Sequence, residues 1–199
     1  MHGMKYDLEK YHRRSIRIRG YDYSQGGMYF VTICTRDRES LFGEVVDGDV
    51  RLNKFGHIVR EEWEISAVIR REIELDAFVV MPNHVHGIVI ITVGNVGATG
   101  RSPLRSGPPK RSLGALVGGF KSAVTKRIND LRGTPGILVW QRNYYEHVIR
   151  EDESLNRIRQ YILDNPARWA YDRENPAATH PEMENAWLRG GTVDRAERL

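Results

Sequence analysis

Cysteine is nearly absent. Cys34 is the single one, so no disulfide can close within the chain and no cysteine cluster can hold a structural zinc. Long apolar runs are missing too. The longest, around Ala77 to Ile91, is broken by Pro82, Asn83, His84 and His86, so it cannot cross a bilayer as a helix. The first twenty residues contain no apolar stretch of the kind a secretory leader needs, which makes the cytoplasm the expected location. No Glu stands beside a histidine in a His-Glu-x-x-His pattern, which excludes the zincin proteases. Internal repeats and heptads are also lacking. Acidic residues are missing locally: 101–127 holds Arg101, Arg105, Lys110, Arg111, Lys121, Lys126 and Arg127 and no acid.

What is present suits one soluble domain with a modest core: 199 residues, 40% of them apolar, with a mean hydropathy of −0.51. Lysine and arginine number 30 against 26 acids, a net charge of +4. A second basic block at the N-terminus carries Lys5, Lys10, Arg13, Arg14, Arg17 and Arg19 against Asp7 and Glu9. Two such blocks fit a polyanionic partner, or an ordinary solvated basic surface.

Residues 28–35 are β-branched and aromatic and follow two glycines, a strand signal. Residues 54–70 predict a helix with Asn53 as N-cap and Ile58, Ile65 and Ile69 on one stripe. Residues 72–81 alternate, placing Ile73, Leu75, Ala77 and Val79 on one face. A turn at Met81-Pro82-Asn83 then leads into a strand over 84–92, giving a hairpin. The stretch 94–111, with four Gly, three Pro and no acid, reads as a flexible basic loop inside the domain. Ser112 caps a helix of roughly 18 residues whose stripe is Leu113, Leu116, Val117, Phe120, Val124 and Ile128. Its Gly114, Gly118 and Gly119 leave room for a neighbour. A short strand at 144–150 and a helix at 152–165 follow. From about 170 the chain has no clear period, and 171–199 is expected to be a tail. The fold class is therefore α+β: a ferredoxin-like β-α-β-β-α-β core with an antiparallel sheet, plus a C-terminal helix.

His84 and His86 flank Val85, so in a strand both imidazoles point to one face, which Ile88 and Ile90 continue. Two imidazoles so placed can share a metal ion if a third ligand arrives from elsewhere. They can also be two polar residues closing a hairpin. In the last helix, Leu155, Ile158 and Ile162 form the buried stripe, with Tyr161 at its edge and Asn165 one turn further on. Tyr161 is then a nucleophile beside a metal, or a packing residue. Asn165 is an amide ligand, or a cap before Pro166.

The segment VVMPNHVHGIVII (79–91) resembles the His-hydrophobic-His block of HUH endonucleases. The segments VWQRNYYEHVIRED (139–152) and LNRIRQYILDNPARW (155–169) resemble the C-terminal blocks of REP-associated tyrosine transposases, a branch of the insertion-sequence-200-like single-tyrosine transposases. The resemblance covers most of 15–170. It implies a DNA transposase that cleaves and rejoins single-stranded DNA through a 5′-phosphotyrosine, with Mg2+ or Mn2+. On this likeness His84 and His86 are metal ligands and Tyr161 is the nucleophile. Asn165 falls where relatives place an amide ligand, often Gln, with Glu146 or His147 as alternatives. Tyr144 and Tyr145 are rival nucleophiles that match a packing block. The partner implied is single-stranded or hairpin DNA, held by Arg13, Arg14, Arg17, Arg19, Lys121, Lys126 and Arg127. In some relatives the tyrosine helix acts across a homodimer and in others within one chain; both stay open. The competing readings are a nucleic-acid-binding module without catalysis, a tyrosine-independent metal nuclease, and a replication initiator with the same chemistry.

Overall fold

The structure, a computed structural model, describes residues 26–92 and 111–178. A four-stranded antiparallel sheet is built from β1 (Gly27–Cys34), β4 (Ile73–Val80), β5 (His84–Ile91) and β6 (Tyr145–Ile149), in the order β4-β5-β1-β6. An antiparallel sheet accompanied by helices is the α+β class expected. Three helices accompany it: α1 (Lys54–Ile69), α2 (Leu113–Arg132) and α3 (Asp152–Asp164). Asn53 caps α1 by accepting from the N–H groups of Phe55 and Gly56. Ser112 caps α2, which ends on the left-handed Gly133.

The sheet separates two cores. On one face Tyr29, Val31, Ile33, Val85 and Val89 pack against Val59 and Trp63 of α1 and Leu116, Phe120 and Val124 of α2. On the other, Phe30, Ile88 and Ile149 pack against Leu155, Ile158 and Ile162 of α3. The alternation of β5 therefore turns Val85 and Val89 toward α1 and α2, and both histidines toward α3. Gly87, one residue past the second histidine, lets Trp63 lie against the strand: a Cβ there would meet the indole at 2.4 Å.

Three local features depart from expectation. A hairpin of β2 (Gly43–Val46) and β3 (Asp49–Leu52) precedes α1. Its turn residues Asp47 and Gly48 both have positive φ, the Asp-Gly signature of a tight hairpin. In β4 the register shifts between Leu75 and Phe78. This bulge flips the alternation, so Ile73 and Leu75 join the α1/α2 core while Ala77 and Val79 join the α3 core. Finally, Gly118 has open space beside it and Gly119 faces only the Arg70 guanidinium, so these two α2 glycines do not admit a neighbouring element. The stretch 94–110 lies outside the described residues.

Gly87→Ala is expected to displace the Trp63 indole and destabilise the fold by about 1–3 kcal/mol. Urea denaturation would measure this, and a paired Trp63→Phe replacement should recover part of the loss.

Candidate functional site

His84 and His86 are fully buried on the α3 face, their ring centroids 4.4 Å apart. The turn before β5 sets the first ring. Asn83 donates its amide to the carbonyls of Glu174, at 2.6 Å, and Arg38, at 3.1 Å. Carbonyls only accept, so the Asn83 oxygen must face the other way, and His84 Nδ1 lies 2.8 Å from it. Nδ1 therefore carries the proton and Nε2 the lone pair. That Nε2 is buried and has no hydrogen-bond partner. His86 Nδ1 stands 2.9 Å from the Thr32 hydroxyl. With a proton donated there, its Nε2 accepts from the Tyr161 hydroxyl, 3.2 Å away.

Burial holds the His84 imidazole down to about 3, with Arg38 adding a smaller push. Burial likewise keeps His86 well below the usual range, reinforced by His84 and opposed by Asp172. Both rings are thus neutral and able to bind a cation.

Tyr161 is half-buried and reaches the pair because α3 is tied to the sheet. Its apolar stripe packs on Phe30 and Ile88, and Arg159 grips Asp76 in the β4 bulge through contacts of 2.6, 3.0 and 3.1 Å. The Arg159 hydrogen bond is the main cause that lowers the Asp76 carboxyl below its ordinary value. Tyr161 also stands edge-on to Phe30 and His86.

The segment after α3, expected as a tail from 171, enters the site over 171–174. Trp169 lies 6.0 Å from His84, ring to ring. Asp172 and Glu174 are both buried. Asp172 Oδ2 is 3.8 Å from His84 Nε2, and His84, His86 and Asp172 have ligand atoms within 4.8 Å of one another. Asn165 donates its amide to Asp172 at 3.1 Å, and its own oxygen is buried without a partner. Sequence reasoning misses Asp172: it lies in a stretch without periodicity, and only the fold brings it to the histidines.

The other candidates fall elsewhere. Glu146 pairs across from Val31 and so belongs to the α1/α2 side of the sheet. His147 is on the histidine face but opposite Phe30, one strand step beyond the Thr32–His86 pair. Tyr145 is opposite Thr32 on that face, whereas Tyr144 packs on the α1/α2 core. The basic residues of α2 sit behind the sheet. Lys121 donates to the carbonyls of Gln141 and Asn143, both at 2.9 Å, and burial lowers it to about 8. Lys126 pairs with Asp130, and Arg127 with Glu61 and Glu62. Arg13, Arg14, Arg17 and Arg19 lie outside the described residues. No helix among the described residues is long and apolar enough to cross a membrane.

No family model matches the chain. A protein of Haemophilus influenzae (strain ATCC 51907 / DSM 11121 / KW20 / Rd), described only as uncharacterized, is 38% identical over 176 residues, covering 85% of this chain and 96% of that protein. A second protein of the same strain, described as a "putative REP-associated tyrosine transposase", is 25% identical over 150 residues, covering 75% of this chain and 76% of its own. The named relative supports the REP-associated tyrosine transposase branch for this chain. A solved REP-associated tyrosine transposase bound to a REP hairpin shares the fold, with a TM-score of 0.53 and 22% identity over 76% of this chain and 73% of that one. For this transposase relative, the motifs that carry the likeness, 79–91 and 155–169, are the stretches that meet at the His84–His86–Tyr161 cluster.

Because His84 stays neutral in the fold down to about 3 but protonates at about 6.5 when exposed, the unfolded chain binds the extra proton between those values. Stability of the metal-free protein is therefore full above about pH 6.5 and falls as pH drops toward 3. Urea midpoints in EDTA from pH 8 to 5 should show this fall, and His84→Gln should flatten it.

Proposed function

We propose that this transposase-family protein cuts and rejoins single-stranded DNA through a 5′-phosphotyrosine on Tyr161. The observation that carries the reading is the Tyr161 hydroxyl at 3.2 Å from His86 Nε2, beside a His84 Nε2 that is buried and unpartnered. That orphaned nitrogen fits a metal ligand, and two neutral imidazoles with hard oxygen donors nearby suit Mg2+ or Mn2+. His84 and His86 would hold the ion. When bound, such an ion supplies Lewis-acid polarisation of the scissile phosphate.

The chain's own residues do the rest. A tyrosine hydroxyl titrates near ~10 and is a weak nucleophile at neutral pH, so its placement matters. The Phe30 and Ile88 packing and the Arg159–Asp76 fork fix α3, and with it Tyr161. The Tyr161 oxygen forms a bond to phosphorus as the bond to the 3′-oxygen breaks. The tyrosine proton leaves to solvent and the departing 3′-oxygen takes one up. The phosphodiester energy is kept in the ester, so a second 3′-hydroxyl can reverse the step and join a new strand without a high-energy cofactor.

The substrate reading, single-stranded or hairpin DNA, is supported by the solved relative bound to a REP hairpin. With the α2 cations engaged behind the sheet, backbone contacts are assigned to Arg13, Arg14, Arg17 and Arg19. Replacing these four with Ala should flatten the dependence of log affinity on log salt by about 0.7 for each phosphate that the arginines neutralise. Lys126→Ala should change it little.

The deciding experiment incubates the protein with Mn2+ and single-stranded DNA flanking its own gene, then looks for an SDS-resistant protein–DNA adduct. Wild type, Tyr144→Phe and Tyr145→Phe should form it, and Tyr161→Phe should not. An adduct in Tyr161→Phe would move the nucleophile. Cleavage with no adduct would point to a hydrolytic nuclease. Salt-sensitive binding without cleavage would favour a binding module.

A further inference from the structure

Two acidic side chains are buried where the C-terminal segment meets the sheet, and their surroundings differ. Glu174 faces guanidinium groups: Arg38 at 2.9 Å and Arg173 at 3.6 Å. Asp172 has no Lys or Arg partner among the described residues. It accepts from the neutral Asn165 amide at 3.1 Å and from the Glu174 N–H at 2.6 Å. A buried carboxylate with no cation is costly, so its position calls for a compensating charge.

The contact with His84 sharpens the point. A carboxylate meeting an imidazole N–H forms a charge-assisted hydrogen bond of about 2.7–2.9 Å. Here the separation is 3.8 Å, and the proton is on the wrong nitrogen, because Asn83 takes it at Nδ1. Nε2 and Oδ2 are then two acceptors facing across one gap, an arrangement that repels unless a cation lies between. The separation is close to twice a metal–oxygen distance of about 2.1 Å. His86 completes the group, all three donors lying within 4.8 Å of one another.

We propose that Asp172 is the carboxylate ligand of the divalent cation, and that Asn165 is a positioning residue that holds it. This rests on the cation-binding reading of the histidine pair. The Asn165 amide orientation supports it: reversed, its oxygen would face Oδ2, so the nitrogen must point at Asp172. The Asn165 oxygen, buried and unpartnered, is the rival donor.

The test titrates Mn2+ into the full chain, read by loss of the free-ion electron paramagnetic resonance signal, for wild type, Asp172→Asn, Asn165→Ala and His84→Ala. Asp172→Asn should weaken binding by more than about 100-fold and Asn165→Ala by about 10-fold, the range of a residue that orients a ligand. In EDTA, Asp172→Asn should melt no lower than wild type, since it removes an uncompensated buried charge. Added Mn2+ should raise the wild-type melting temperature and leave the variant's unchanged. Should the Asn variant fold poorly, Asp172→Ser is expected to show the same loss of Mn2+. Asp172→Asn binding within about 3-fold of wild type would overturn the proposal, as would a larger loss in Asn165→Ala than in Asp172→Asn. Wild type that binds no Mn2+ would overturn the cation reading together with this proposal. Wild type that binds with loss only in His84→Ala would overturn this proposal alone.

Discussion

The Asn83 amide organises the site. Its two N–H groups are spent on the carbonyls of Arg38 and Glu174, so its oxygen can only accept, and the adjacent His84 must present Nδ1–H to it. One side chain thus fixes a tautomer and joins three remote stretches: the turn after β1, the start of β5 and the segment beyond α3. Arg38 reaches its place with a positive φ of 57°, a conformation that a non-glycine residue adopts only when its surroundings hold it there. Its guanidinium then meets Glu174, closing the link from the other side. A buried network of this kind is rigid because every break leaves an unpaired group in a low-dielectric setting.

The second constraint is the β4 bulge. It frees Asp76 to accept from the following N–H and to receive the Arg159 fork. Arg159 is two residues before Tyr161, so the fork and the Leu155–Ile158–Ile162 stripe together set the rotation of α3. The hydroxyl then arrives at His86 instead of at solvent. The fold places a helix on the otherwise open face of the sheet. The bulge and the ion pair decide which side of that helix looks at the histidines.

Much of this is legible in the sequence wherever one period or one cap decides the outcome. The alternation at His84-Val85-His86 predicts a shared face, and β5 has it. The stripe of α3 and the caps at Asn53 and Ser112 follow the same local rules. Failures arise where a local rule is interrupted or where the partner is distant. The uniform alternation expected over 73–79 is broken by the bulge. The Asp47-Gly48 turn is a strong hairpin signal, but its flanking strands of four residues each are too short to show a period of their own. Asp172 is legible in no window, since its place beside His84 is set by turns and a short 3-10 helix after α3 that no periodicity announces.

The central claim is that the two imidazole lone pairs and the nearby carboxylate form a cation site beside the Tyr161 hydroxyl. Crystals soaked in Mn2+ and measured at the manganese absorption edge test it most directly. The account predicts one strong anomalous peak bounded by His84 Nε2, His86 Nε2 and Asp172 Oδ2. A peak elsewhere, or no peak with the Tyr161–His86 hydrogen bond intact at saturating Mn2+, would contradict it.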